Sequence, residues 1–220
     1  MTIIRFIGDT HGKVITMGRM MISAPDQKSI HVGDVGFGWD NDKDQHEKLL
    51  RAYRYIPGDH KFIRGNHDSL HCIKHHFKSW WMRDGEYFPE YDMMTIGGAY
   101  TRNPSSYFEG RNWWIDEEMT HYHMQRVYDR YMEIEPSILV THDLPLKVSQ
   151  ELYSLPDYKM FKNRTSSFFN ILFERKPPRL WIAGHWHVKR VGKVGDTLFV
   201  VVPQDGYVDI RMENDEYKLL

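Results

Sequence analysis

A chain of 220 residues that is 41% hydrophobic, 14% aromatic and 27% charged can bury a substantial core and is too apolar for a disordered tail. Its 29 basic and 30 acidic residues leave a net charge of -1, which excludes a general electrostatic pull toward nucleic acid or an anionic membrane. A single cysteine, Cys72, excludes an internal disulfide and fits a reducing, cytoplasmic setting, and no apolar run is long enough for a signal peptide or a membrane span.

Short β-branched runs that stop abruptly predict buried strands, and 3.6-residue periodicity predicts helices between them. In chain order, strands are expected at Ile3 to Ile7 and Ser29 to Val32. A helix follows from a cap at Asn41, with His46, Leu49, Leu50 and Tyr53 on one face, until Pro57-Gly58 stops it. After a strand at Lys61 to Ile63 comes a short helix carrying His71, His75 and His76. Lys74 to Asn112 reads as irregular loops, broken by Trp80, Trp81, Gly85, Pro89, Gly97, Gly98 and Pro104, around a strand at Met93 to Ile96. A helix starting near Asp116 places Met124, Val127, Tyr128 and Tyr131 together and ends before Pro136. A strand at Ile138 to Val140 and an almost wholly apolar helix at Ser166 to Glu174 follow. Strands at Leu180 to Ala183, Thr197 to Val202 and Tyr207 to Ile210 close the chain. This order predicts one α/β domain over residues 1–220, with mixed sheets covered by helices and a more hairpin-like C-terminal part.

Thirteen histidines are a high number for this length, and histidine is the commonest metal ligand. Five of the apolar runs end in ligating side chains: Gly8-Asp9-Thr10-His11-Gly12, Gly33-Asp34, Gly65-Asn66-His67-Asp68, Thr141-His142 and Gly184-His185-Trp186-His187. If the strands share an orientation, Asp9, His11, Asp34, Asn66, His142, His185 and His187 converge at one sheet edge, where sites in α/β proteins lie. Extended backbone would put Asp9 with His11, and His185 with His187, on one side of the chain, each pair meeting a common centre. A glycine before each ligand lets the backbone turn sharply. Imidazoles, carboxylates and one amide suit manganese, iron, zinc or nickel better than magnesium or calcium. Seven ligands exceed the needs of one tetrahedral ion, so two divalent ions about 3.5–4 Å apart are expected, with Asp34 as the bridge.

These blocks resemble the calcineurin-like metallophosphoesterase superfamily, whose signature runs G-D-x-H-G, G-D, G-N-H-[DE], a strand-ending His, and G-H-x-H. The resemblance spans Gly8 to His187 and implies two packed mixed β-sheets flanked by helices. It further implies one metal on Asp9, His11, Asp34 and His187, a second on Asp34, Asn66, His142 and His185, and His67 outside the metal shell as an acid. The second block, Gly33-Asp34-Val35-Gly36-Phe37-Gly38, lacks the second aspartate and the arginine of the Ser/Thr protein phosphatases. The double-histidine last block looks more like the phosphodiesterase, nuclease and small-molecule branches. Gly97-Gly98-Ala99 and Asn112 to Glu118 are similar to small bacterial and phage-encoded metallophosphoesterases, which would place the protein in the bacterial or host cytoplasm.

The implied activity is hydrolysis of a small phosphomonoester or phosphodiester, a nucleotide for example, by metal-activated hydroxide with manganese as the first choice of ion. An imidazole, with an ordinary pKa of about 6.5, can protonate the leaving oxygen, and His67 adjoins Asn66. Asp68 either holds the His67 ring or caps the helix that follows. A metal-dependent nuclease is the rival enzyme reading, and a metal-binding scaffold without turnover is the rival from another class. Extended nucleic acid and membranes are not expected partners. The remaining candidates read as structural. His71, His75 and His76 form a solvated face, His121 and His123 lie on a surface, and the pairs Trp80-Trp81 and Trp113-Trp114 pack. Arg102, Asn103 and Arg111 sit in exposed loops.

Overall fold

The computed structural model describes residues 1–156, 162–213 and 216–220. Strand β1 (Thr2–Ile7) opens a five-stranded sheet, leading through helix α1 (Val14–Ile22) to β2 (Lys28–His31) and through α2 (Lys43–Tyr55) to β3 (Asp59–Phe62). A short helix, α3 (Leu70–Cys72), continues into a π turn over Ile73–Phe77. The second sheet takes β4 (Glu86–Phe88) and β5 (Met93–Ile96), then α4 (His121–Ile134), β6 (Ile138–Thr141), α5 (Leu146–Tyr153), α6 (Arg164–Arg175) and β7 (Leu180–Ala183). The chain ends in β8 (Arg190–Val194), β9 (Thr197–Val201), β10 (Tyr207–Glu213) and β11 (Glu216–Leu219).

The first sheet has the order β11-β10-β1-β2-β3, with β1, β2 and β3 parallel and β10 antiparallel to β1. The second has the order β4-β5-β6-β7-β9-β8, with β5, β6, β7 and β9 parallel and an antiparallel strand at each edge. Both sheets are therefore mixed, as expected. Ile4, Phe6, Ile30, Val32, Val208 and Ile210 of the first meet Met93, Ile138, Val140, Leu180, Ile182 and Val200 of the second in one core. The outer face of the first sheet packs on α1, α2 and the π turn through Ile7, Met17, Leu49, Tyr53, Phe62 and Phe77. The outer face of the second packs on α4, α5 and α6 through Leu139, Trp181, Phe199, Val127, Val148 and Phe169. Each buried side chain of this size contributes ~1.5–3 kcal/mol, more than a typical hydrogen bond, so these two-faced apolar strands set the four layers.

Strand ends match the expected positions to within one to three residues, and Met93–Ile96 and Leu180–Ala183 coincide with them. The cap of α2 is Asp42, whose carboxylate accepts from the Asp44 and Gln45 amides, not Asn41. Helix α4 starts at His121 behind a Thr120 cap, five residues after the expected Asp116. Strands β4, β8 and β11 and helices α1 and α5 were not foreseen. Among the described residues no helix is long and apolar enough to cross a membrane.

Candidate metal centre

The parallel arrangement brings the C-terminal ends of β1, β2 and β3 beside those of β6 and β7, and the five ligand-bearing blocks are the loops that leave those ends. Backbone bonds lock the loops together. Thr10 and His11 amides donate to the Asp34 carbonyl at 3.0 and 2.9 Å, and the Gly184 amide donates to the His142 carbonyl at 3.0 Å. Two glycines leave room for side chains rather than only for turns. A Cβ on Gly33, whose φ is +100°, would lie 2.3 Å from His142 Nδ1, and one on Gly65 would lie 2.0 Å from Asp34 Oδ1.

Two groups result. Asp9, His11 and His187 present ligating atoms within 4.8 Å of one another, and so do Asp34, His142 and His185. Asn66 Oδ1 lies 3.1 Å from His142 Nε2, which joins Asn66 to the second group. The two Asp34 oxygens face different groups: Oδ1 is 3.4 Å from His142 Nε2, and Oδ2 is 3.9 Å from His11 Nδ1. The extended geometry expected for the two His-containing pairs does not occur. His11, His185 and His187 have φ of 44°, 62° and 59°, in the left-handed region, and Asp34 joins them at 54°. The loops coil instead of running straight, so His185 and His187 reach different groups. Four strained residues at one place mark a site that the surrounding packing holds in position.

The donor set fits divalent cations. Asp9 Oδ2 is buried with His187 Nε2 3.1 Å away, and His11 Nδ1 is buried with no hydrogen-bond partner among the described residues, which a buried polar atom tolerates only if something else ligates it. His142 Nδ1 donates to the Val32 carbonyl at 2.7 Å, leaving Nε2 as the ligating nitrogen. Burial alone would depress the His142 pKa, but the Asp34 carboxylate, then Asp9 and the Val32 carbonyl, outweigh it and hold it at about 10. Burial likewise would raise Asp34, and the facing His142 imidazole, with His67 and His11, instead keeps it well below the ordinary carboxylate value. The buried carboxylates thus hold a proton on His142 that a metal ion would displace, while burial lowers the pKa of His185.

His67 is 7% exposed and lies beside these groups, its ring centroid 5.7 Å from His11, 5.3 Å from Trp39 and 4.7 Å from Tyr107. Its Nδ1 donates to the Asn112 carbonyl at 2.8 Å, so Nε2 is the nitrogen available to a reacting group. Asp68 does neither of the things expected of it. Its oxygens accept from the backbone amides of Val35, Gly36, Phe37 and Gly65 at 2.7–3.3 Å, and Ser69, not Asp68, caps α3. A buried carboxylate facing four amides is committed to them, and its work is to fix the Asp34 loop against the Asn66 loop. Asn112 takes the orienting role assigned to Asp68.

Three further residues escape a reading of motifs. Asn66 Nδ2 donates to Thr101 Oγ1 at 3.0 Å, and Thr101 Oγ1 donates to Glu117 Oε2 at 2.5 Å, while Glu117 Oε1 accepts from the Thr101 amide at 3.0 Å. This relay holds the Asn66 amide with its oxygen toward His142. Asp143 Oδ1 accepts from the Trp186 indole at 2.9 Å and so fixes the loop of His185 and His187. The adjacency Thr141-His142-Asp143 was the one available signal for it. His71, His75 and His76 are exposed on α3 and the π turn, and His121 is exposed on α4. Trp80 and Trp81 pack on the outer core of the first sheet. Arg111 pairs with Asp40 at 3.4 Å on the surface, and Arg102 and Asn103 are exposed.

The family model of the calcineurin-like phosphoesterases matches residues 3–189. No curated protein matches the chain. Among solved structures, one crystal structure is similar with a TM-score of 0.67 at 14% identity, over 100% of this chain and 98% of the other. A Staphylococcus aureus 5'-nucleotidase candidate, solved with alpha-ketoglutarate, is similar with a TM-score of 0.64 at 13% identity, over 99% of this chain and 52% of the other. The chain thus spans about half the length of the staphylococcal protein, and at these identities the likeness is one of fold.

Proposed function

Because the chain belongs to the calcineurin-like phosphoesterase family, whose members are metal-dependent phosphoester hydrolases, we propose that it hydrolyses a small phosphomonoester or phosphodiester at a pair of divalent ions. Asp9, His11, Asp34 and His187 would hold one ion, and Asp34, Asn66, His142 and His185 the other. The observation that carries this reading is the Asp34 carboxylate, which turns one oxygen to each ligand group from a fully buried position. When bound, such a pair makes water basic enough to attack phosphorus and neutralises the phosphoryl oxygens, manganese being the first choice for this mixed donor set. The chain's own residues do the rest. Asp68 and the Glu117–Thr101–Asn66 relay fix the ligand loops. His67, oriented by the Asn112 carbonyl, gives a proton from Nε2 to the leaving oxygen. A small substrate in the cytoplasm, such as a nucleotide, fits the balanced charge.

The manganese-loaded protein is expected to carry about two ions per chain and to release nitrophenol from p-nitrophenyl phosphate or its bis ester. In His67→Ala, kcat falls ~10²–10⁴-fold with metal content retained, the usual size of a lost proton donor. Fewer than one ion per chain, or no release from either ester, would overturn the proposal.

A further inference from the structure

Helix α4 carries a row of like charge that the described residues leave unbalanced. His123, Arg126, Val127 and Arg130 follow one another at three- and four-residue steps, so they share one face of the helix. Two arginines four residues apart on one face repel each other and weaken the helix that holds them. Asp129, beside them in the chain, is taken by Gln125 Nε2 at 2.8 Å. Among the described residues neither the Arg126 nor the Arg130 guanidinium has a hydrogen bond or a carboxylate partner.

The turn that leads into β4 brings a third arginine to this face. Gly85 lies against Val127, where an added Cβ would come within 3.2 Å of Cγ2. The turn is held rigidly there: the Arg83 carbonyl accepts from Thr95 Oγ1 at 2.9 Å, the Gly85 amide donates to the Thr95 carbonyl at 2.8 Å, and the Glu86 carboxylate accepts from the Arg83 amide at 2.7 Å. The Arg83 side chain is exposed, its guanidinium 6.0 Å from the Trp81 ring centroid and without a carboxylate partner among the described residues.

Arg83, His123, Arg126 and Arg130 line a recess of about 360 Å³ between the turn and α4, with Asp84 and Glu86 as its two acids. Asp84 is neutralised from inside the fold by Arg64 at 3.2 Å. Glu86 alone then opposes three guanidiniums, which leaves the wall with two positive charges in excess. The recess shares no residue with the two metal-ligand groups. Guanidiniums hold phosphoryl oxygens through paired N–H donors, and an excess of two charges matches a phosphate dianion. The volume lies near the lower end of the range for small-molecule sites, about 300–1,000 Å³. That size, and the balanced charge of the chain as a whole, favour a small anion over a nucleic-acid strand, which needs a longer basic track. We propose that this recess is a second binding site, separate from the metal centre, for a small phosphate-bearing anion held by Arg83, Arg126 and Arg130 with His123 beside them.

The test is a calorimetric titration at low ionic strength with inorganic phosphate and, in parallel, with phenylphosphonate, whose P–C bond resists hydrolysis. Both are run on the manganese-loaded protein and on the same protein without added metal. A binding event that persists without manganese is expected, distinct from any that requires the ion. In Arg126→Glu and in Arg130→Glu, both exposed on α4, that event weakens at least tenfold while the manganese-dependent one is unchanged. Arg175→Glu, an exposed control at the end of α6, leaves both unchanged. Tighter binding of phosphate than of phenylphosphonate assigns the site to the free anion, and the reverse order assigns it to a phosphate carried on an organic group. No metal-independent event, or one that survives both charge reversals, overturns the proposal. An equal loss in Arg175→Glu overturns it too, since binding would then follow the net charge of the chain and not the recess.

Discussion

Asn66 shows how much of a site lies beyond its ligands. Thr101 Oγ1 can donate to the Glu117 carboxylate only while it accepts from Asn66 Nδ2, so the charge on Glu117 dictates which end of the Asn66 amide faces His142. In Glu117→Gln the amide nitrogen of residue 117 can donate to Thr101 Oγ1, whose proton then turns to Asn66 and favours the flipped amide. The expected result is ~10–100-fold weaker binding of one of the two ions, the usual loss when a partner behind a metal ligand is changed, with the other ion retained. Titration with manganese, followed by electron paramagnetic resonance or calorimetry, checks it, and two unchanged binding events would refute the relay. The seven candidate ligands were legible because each follows an apolar run that stops at once. Thr101 and Glu117 were not: Thr101 lies 35 residues past Asn66 and Glu117 a further 16 on, and only the folded loops bring them together. Asp68 was legible as a special residue but not in its partners, since backbone amides leave no mark in a sequence.

At the scale of elements, strands buried on both faces announce themselves, and β1, β5, β6 and β7 were readable for that reason. Edge strand β8 alternates exposed with half-buried residues around a glycine, and β4 is three half-buried residues long, so neither carries a signal above that of a loop. Helix α1 has no side-chain cap, and a proline stands at the N-cap of α5. The loops that carry Thr101 and Glu117 depend on one residue just beyond β3. Arg64, 2% exposed, reaches Asp84 Oδ2 at 3.2 Å and donates to the Asp116 and Glu117 carbonyls at 3.1 and 2.8 Å. Arg64→Met removes the cation and leaves Asp84, itself 3% exposed at its side chain, a buried charge with the Gly97 amide as its remaining donor. Breaking a buried pair in this way costs ~3–5 kcal/mol. Urea denaturation is expected to show a loss of that size, together with the weaker ion binding expected of Glu117→Gln. A loss under ~1 kcal/mol would mean the loops hold without it.

For the molecule as a whole, sequence order suggested alternation but could not say which strands share a sheet. β10 joins β1 across the entire chain, and a single apolar pattern serves equally for either sheet. The layer of helices on the outer face of the first sheet also covers His31 at the end of β2, in register with Ile7 and Phe62 of that layer and 1% exposed, with Nε2 3.0 Å from Thr10 Oγ1 and Nδ1 without a partner among the described residues. Burial drives its pKa down to about 3, a shift that Asp9 and Asp34 only partly offset, so the folded protein holds it neutral. In the unfolded chain the same imidazole titrates near its ordinary value of about 6.5. Between those values the unfolded state binds the extra proton, so stability is full above pH 6.5 and falls by ~1.4 kcal/mol per unit as the pH drops toward 3. His31→Gln keeps a donor for Thr10 and removes the titration. Carboxylates and the other histidines titrate in both proteins and cancel in the comparison. With chelator present throughout, the stability lost between pH 7 and pH 4.5 is therefore expected to be ~2–3 kcal/mol smaller in the variant than in the natural protein. Equal losses in the two proteins would show that His31 accepts a proton in the folded state without penalty, contrary to its burial under the outer layer of the first sheet.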